Sequence, residues 1–209
     1  TILTFAASVW GMNDVTHLGI YDIPMMSNIP NLVYLAPTTY EEYIAMLDWS
    51  TEQREHPVAI RVPGAVIHGE KPTKDYGILN KYETVQKGSG AAIIALGTFF
   101  GMGKQAAELI EKKTGVKPTL INPVYITGID EELLESLKKD HKAVVTLEDG
   151  ILDGGFGEKI ARFYGDSDMR TVNFGLKKEF LDRYDANEVL RQNGITPEQI
   201  ADRAAELVK

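Results

Sequence analysis

Ala91-Ala92-Ile93-Ile94-Ala95-Leu96, running into Gly97-Thr98-Phe99-Phe100-Gly101-Met102-Gly103-Lys104, is the stretch on which the fold reading turns. The six apolar residues read as a strand, and Gly101 to Thr114 reads as a helix, so the glycines between them make a tight strand-to-helix turn. The same glycines resemble a phosphate cradle, but the details oppose it. Thr98 stands where a P-loop needs its first glycine, Gln105 follows Lys104 in place of Ser or Thr, and two phenylalanines sit where backbone amides should face a ligand. The turn is read as a packed structural feature.

Downstream the alternation continues. Pro118 to Ile121 is expected as a strand, Asp130 as the cap of a helix reaching about Lys139, and Ala143 to Leu147 as the next strand. A helix over Gly155 to Tyr164 and a final strand over Met169 to Phe174 follow. Thr196-Pro197-Glu198 then opens a C-terminal helix, with the cap and the N1 proline in their preferred places. Upstream, Ile2 to Val9 is apolar, Leu32 to Leu35 is a strand, and Thr38 or Thr39 caps a helix that places Tyr43, Met46, Leu47 and Ser50 on one face. Val58 to Val62 is a further strand, stopped by Pro63-Gly64. Alternating strands and helices predict an α/β fold, a parallel sheet covered by helices. Residues 63 to 90 carry no long apolar period, and 63–83 is assigned as a linker between two α/β units, 1–62 and 84–209. About three strands and one or two helices make a poor stand-alone core. The first unit is therefore expected to be completed by residues upstream or by another chain.

Composition narrows the function. The 44% hydrophobic and 25% charged fractions are those of an ordinary globular protein, and no apolar run is long enough to span a bilayer. No cysteine is present, so disulfides and thiolate metal sites are excluded, which fits a cytoplasmic protein. A net charge of −8 argues against general nucleic-acid binding while leaving room for a local pocket for an anionic substrate.

The segment Asn13-Asp14-Val15-Thr16-His17-Leu18-Gly19-Ile20-Tyr21-Asp22 sets an imidazole between carboxylates in a loop with no helical or strand period. A histidine held there is suited to moving protons, although the same residues also suit a turn with His17 merely exposed. Glu148, Asp149 and Asp153 stand at a strand end before the glycines of the next helix, lack a recognised metal spacing, and are read as structural or interfacial. Arg61, on an apolar strand, needs a partner: a phosphate, a substrate carboxylate or a structural Asp. His56, His68 and His141 are expected in solvent.

Taken together, Asp14-Val-Thr-His17-Leu-Gly19-Ile-Tyr-Asp22, Ile29-Pro30-Asn31 through Ala36-Pro37, Val58-Ala-Ile-Arg61-Val-Pro63, and Thr146-Leu-Glu148-Asp149 with Gly154-Gly155-Phe156-Gly157 resemble the 1-deoxy-D-xylulose-5-phosphate synthase family. The later motifs are shared with transketolases and 2-oxo-acid dehydrogenase β subunits, whereas the Thr16-His17 loop favours the synthase branch. The resemblance implies a partial pyrimidine-type α/β domain over 1–62, being its later half, and a transketolase C-terminal-like α/β domain with a mostly parallel sheet over 84–209. It implies thiamine diphosphate and Mg²⁺ in the complete enzyme, none bound by this chain alone, and no metal ligands of its own. The cofactor-binding Gly-Asp-Gly motif is absent from the sequence, and the activating glutamate is expected upstream of Thr1.

By the same resemblance pyruvate loses CO₂ and its two-carbon remainder joins glyceraldehyde 3-phosphate, a phosphorylated sugar substrate. His17 is then the catalytic residue, and Asn13, Asp14 and Arg61 bind substrate. The implied partners are a missing N-terminal portion or subunit and a second copy in a homodimer, with no nucleic acid and no membrane. Three positions depart from the family pattern. Gly64 replaces a second arginine, Leu18 a glutamine, and Asn13 the acidic residue four before the histidine. Two other functions compete: a transketolase-like two-carbon transfer between sugar phosphates, and a non-catalytic interaction module.

Overall fold

The computed structural model describes residues 1–62 and 66–208. The stop expected at Pro63-Gly64, and the departure at Gly64, lie outside the described residues. The first sheet is built from β1 (Ile2–Ala6), β2 (Val33–Leu35) and β3 (Val58–Val62), all parallel, in the order β1-β3-β2. Between β1 and β2 run a long loop and the short helix α1 (Asp22–Met26); α2 (Tyr40–Glu52) leads from β2 to β3. Thr39 caps α2 by accepting from the Glu42 amide at 3.2 Å. Glu42 folds back to accept from the amide and hydroxyl of Thr38 at 2.6 and 2.7 Å, a variant of the reciprocal capping box. Met46 and Ser50 on the expected face are buried, with Tyr43 and Leu47 packed beside them.

The second sheet holds β4 (Glu83–Gln86), β5 (Gly90–Ala95), β6 (Thr119–Asn122), β7 (His141–Ile151) and β8 (Arg170–Leu176) in the order β4-β6-β5-β7-β8. Only the edge strand β4 is antiparallel among them. A single 3₁₀ turn at Gly97–Phe99 opens α3 (Phe100–Thr114), as the tight turn required. The other helices are α4 (Glu131–Leu137), α5 (Phe156–Phe163), α6 (Ala186–Gln192) and α7 (Pro197–Val208).

Alternation along β5 divides the core. Ile93 and Ala95 face α3, α6 and α7, whereas Ala92 and Ile94 face α4 and α5. The second of these layers is continuous with the first sheet through Tyr34, Ala36 and Ala59. Two differences from the sequence reading have physical reasons. The strand expected to end at Leu147 continues to Ile151, because Glu148 and Asp149 find partners inside the protein. Helix α6 was not anticipated, although Asp185 caps it by accepting from the Glu188 amide at 2.8 Å.

Candidate functional site

Gly19 sets the path of the loop between β1 and α1. A Cβ at this position would come within 2.7 Å of the Ala7 Cα, so only glycine lets the loop lie against the end of β1. The loop closes on itself at Asp14, whose carboxylate accepts from the Thr16 amide at 2.9 Å and from the Thr16 hydroxyl. These bonds hold the Asp14 carboxyl below its ordinary range, the Thr16 hydroxyl foremost. The Thr16 hydroxyl lies 2.8 Å from His17 Nδ1, and an Asp14 oxygen lies 3.4 Å from the same nitrogen. His17 remains 60% exposed at its side chain and faces a cavity of about 500 Å³ at the carboxyl end of the edge strand β1. Ser8, Met12, Tyr21 and Phe180 also line that cavity. Such crevices outside strand ends are where open α/β sheets bind ligands.

The remaining candidates are placed differently. Asn13 turns toward residues 183–184: its Nδ2 donates to the Tyr184 carbonyl at 3.2 Å, and its carbonyl accepts from the Arg183 amide at 2.6 Å. Arg61 is 3% exposed and is held by protein groups. Its Nε donates to Asp22 at 2.7 Å, its Nη2 donates to Asp22 and the Gly19 carbonyl at 3.2 Å, and Nη2 also donates to the Asp149 carbonyl. Burial opposes the charge, but the carboxylates of Asp22 and Asp149 outweigh it and keep the guanidinium protonated. The Tyr34 hydroxyl donates to the same Asp22 carboxylate. Of the three partner types considered for Arg61, Asp22 supplies the structural Asp.

Asp149 is fully buried and accepts from the Ser8 hydroxyl at 2.7 Å, the Val9 amide at 2.9 Å and the Thr98 hydroxyl at 2.8 Å. Glu148 accepts from the Phe156 and Gly157 amides at 2.7 Å each, closing the N-terminus of α5. Burial pushes its carboxyl up to about 7 in spite of those amides. Asp153 pairs with Lys178 at the surface, 3.1 Å away. His141, expected in solvent, is a correction: it is buried, with Nε2 2.8 Å from the Thr119 hydroxyl and Nδ1 2.7 Å from Asp140, because it begins β7, an interior strand of the sheet. Sequence reasoning also passed over Ser8, Phe180 and Tyr184. An aromatic pair amid the charges of Lys177 to Asp185 was the available signal for the last two.

Among the described residues, no three His, Cys, Asp or Glu side chains converge to hold a metal ion. Nor is any helix there long and apolar enough to cross a membrane.

Two layers of helices on a mostly parallel sheet, with a loop site beside it, define the class, and the chain belongs to the transketolase C-terminal domain family, which residues 80–200 match. Within that class the whole chain is similar to 1-deoxy-D-xylulose-5-phosphate synthases. It is 33% identical to that of Clostridium perfringens over 214 residues, covering 100% of this chain and 34% of the relative. It is 31% identical to that of Clostridium tetani over 205 residues, covering 97% and 33%. The chain thus spans about a third of the length of these relatives. A split-gene transketolase solved as an inactive β4 tetramer shares the fold with a TM-score of 0.83 at 21% identity, over 100% of this chain and 67% of that one. A transketolase from Pichia stipitis in complex with sedoheptulose 7-phosphate does so with a TM-score of 0.73 at 20% identity, over 98% and 29%.

Proposed function

We propose that residues 1–209 form the substrate-side wall and C-terminal domain of a thiamine-diphosphate-dependent synthase of the 1-deoxy-D-xylulose-5-phosphate type. In this reading 1–62 is the later half of a pyrimidine-binding domain, 63–83 the linker and 84–209 the C-terminal domain. The observation that carries the proposal is the identity with the synthases along the entire chain, which includes the loop that presents His17 to a cavity. The sequence carries no Gly-Asp-Gly, and by its resemblance to the synthases the diphosphate and Mg²⁺ are assigned to residues outside 1–209, upstream or on a partner subunit.

When bound, thiamine diphosphate would supply the electron sink that lets pyruvate lose CO₂. The chain's own contribution is at the substrate. His17 Nε2 is free to face the reacting carbonyl while Thr16 and Asp14 orient the ring through Nδ1, an arrangement suited to proton transfer or to orienting an oxygen. Arg61 and Asn13 act in this reading as supports of the loop rather than as substrate ligands. In the complete enzyme, pyruvate consumption should depend on glyceraldehyde 3-phosphate. His17→Ala should lower turnover by at least about tenfold, and unchanged turnover would return His17 to a surface role. A transketolase-like activity is the second reading, favoured because the position of the family's second phosphate-binding arginine is Gly64. Turnover with xylulose 5-phosphate in place of pyruvate would select it.

A further inference from the structure

The loop of residues 7–21 has no regular structure of its own, yet it carries the histidine on which the proposed chemistry depends. Five of its residues are held by one distant segment. The Tyr184 hydroxyl donates to the Val9 carbonyl at 2.9 Å, and the Tyr21 hydroxyl donates to the Glu179 carbonyl at 2.6 Å. Asn13 is bound through both its carbonyl and its amide to Arg183 and Tyr184. Weaker contacts of 3.4 Å join the Val15 amide to Asp182 and the Trp10 indole to Asn187. Arg183 has a φ of +50°, a left-handed conformation that a non-glycine residue keeps only where its surroundings enforce it. That kink presents its amide to Asn13. The segment is anchored in turn, since Leu181, Tyr184 and Ala186 pack on the core beneath α3 and α7.

We infer that residues 179–187 form a strap whose work is to position His17, and that Tyr184 and Asn13 are positioning residues for the reaction. The strap grips the loop on both sides of His17 and leaves the imidazole itself uncovered. A rigid frame around one free catalytic group is what precise placement needs, because a displacement of about 1 Å costs on the order of a hundredfold in rate. The Asn13 side-chain amide belongs to this frame, donating to the Tyr184 carbonyl. The inference rests on the proposed catalytic role of His17 for its kinetic consequence but not for its structural one.

The test uses the complete enzyme and the conservative variant Tyr184→Phe, which removes one hydroxyl and keeps the ring. Turnover should fall about tenfold in the wild-type background and less than about twofold further in a His17→Ala background, because residues acting as a unit are not additive. An undiminished loss in the second background would overturn the strap's role in placing His17. Amide hydrogen exchange over residues 13–18 should accelerate about tenfold in Tyr184→Phe, whatever His17 does. Unchanged exchange would overturn the strap itself. If His17→Ala alone leaves turnover intact while exchange accelerates, the catalytic reading has failed and the strap has not.

Discussion

Arg61 carries a permanent charge in the middle of an apolar strand, so its neighbours must supply what water no longer does. Asp22 provides two contacts, Gly19 and Asp149 provide carbonyls, and the Asp149 carboxylate lies 3.8 Å from Nη1. Replacing such an ion pair as a whole can be neutral, but removing one partner strands the other in a low-dielectric interior. Arg61→Leu leaves Asp22 and Asp149 buried and uncompensated, and should lower stability by about 3–5 kcal/mol. Urea unfolding measures this directly; a loss under about 1 kcal/mol would mean that water reaches the carboxylates in the variant. That Arg61 needed a partner was legible in the sequence, because charge within an apolar run is a local observation. Which partner was not. Asp22 and Asp149 lie 39 and 88 residues away; the fold of the first half brings in Asp22 from α1, and the packing of the second sheet against the first brings in Asp149 from β7. His17 was legible for the opposite reason, since Asp14, Thr16 and His17 meet within a single turn.

At the scale of the element, the N-terminus of α5 shows how a buried carboxylate can serve and burden a fold together. Glu148 satisfies the first amides of the helix, whose partial positive charge suits an anion. Burial nevertheless raises its carboxyl from 4.5 to about 7. The sign follows from proton counting. Between pH 4.5 and 7 the folded chain holds a proton here that the unfolded chain has released, so this group's contribution to stability falls as pH rises through that window and is level above it. The full swing is roughly 3 kcal/mol. Glu148→Gln keeps one acceptor and cannot titrate. The stability of the wild type relative to this variant should therefore be higher at pH 5 than at pH 7.5, and parallel urea midpoints at the two pH values would refute the burial argument. Gly157 belongs to the same construction. A Cβ there would stand 2.6 Å from the Thr146 hydroxyl and 2.8 Å from the Asn173 side chain. Gly157→Ala should cost about 1–3 kcal/mol in thermal or urea unfolding, the usual range for overpacking, and a neutral change would show that strand β8 can yield. The glycines themselves were readable as the opening of a helix. The continuation of β7 through Glu148 and Asp149 was not, because carboxylates after a strand usually announce its end.

Across the whole molecule the two sheets are joined through a shared apolar core and through specific polar contacts, and this decides how the chain should unfold. Backbone bonds from Ala36 to Val124 and from Ile126 to Tyr34, both 2.8 Å, tie β2 to the segment after β6. Asp149 forms a buried polar joint beside these and the 179–187 strap, since Ser8, Val9 and Arg61 belong to the first half while Thr98 and Asp149 itself belong to the second. The alternation of strands and helices was enough to foresee an α/β fold with a mostly parallel sheet, but a joint made of single side chains from four distant places has no sequence period to reveal it. The first half, with three strands and an exposed edge at Ile2 and Leu3, has little core of its own and borrows rigidity through this joint. Asp149→Ala removes the acceptor for three buried donors and an opposing charge for Arg61 at one stroke. Both tryptophans of the chain, Trp10 and Trp49, lie in the first half, so their fluorescence follows that half, whereas far-ultraviolet circular dichroism is dominated by the larger second half. In the wild-type chain the two signals should report one cooperative transition in urea. In Asp149→Ala the fluorescence midpoint should fall clearly below the dichroism midpoint, the sign that two-state behaviour has been lost. Midpoints that move down together would instead locate the coupling in the shared apolar core, the strap and the Tyr34–Ile126 and Ala36–Val124 bonds, and would make Asp149 a contributor to overall stability rather than the joint between the halves.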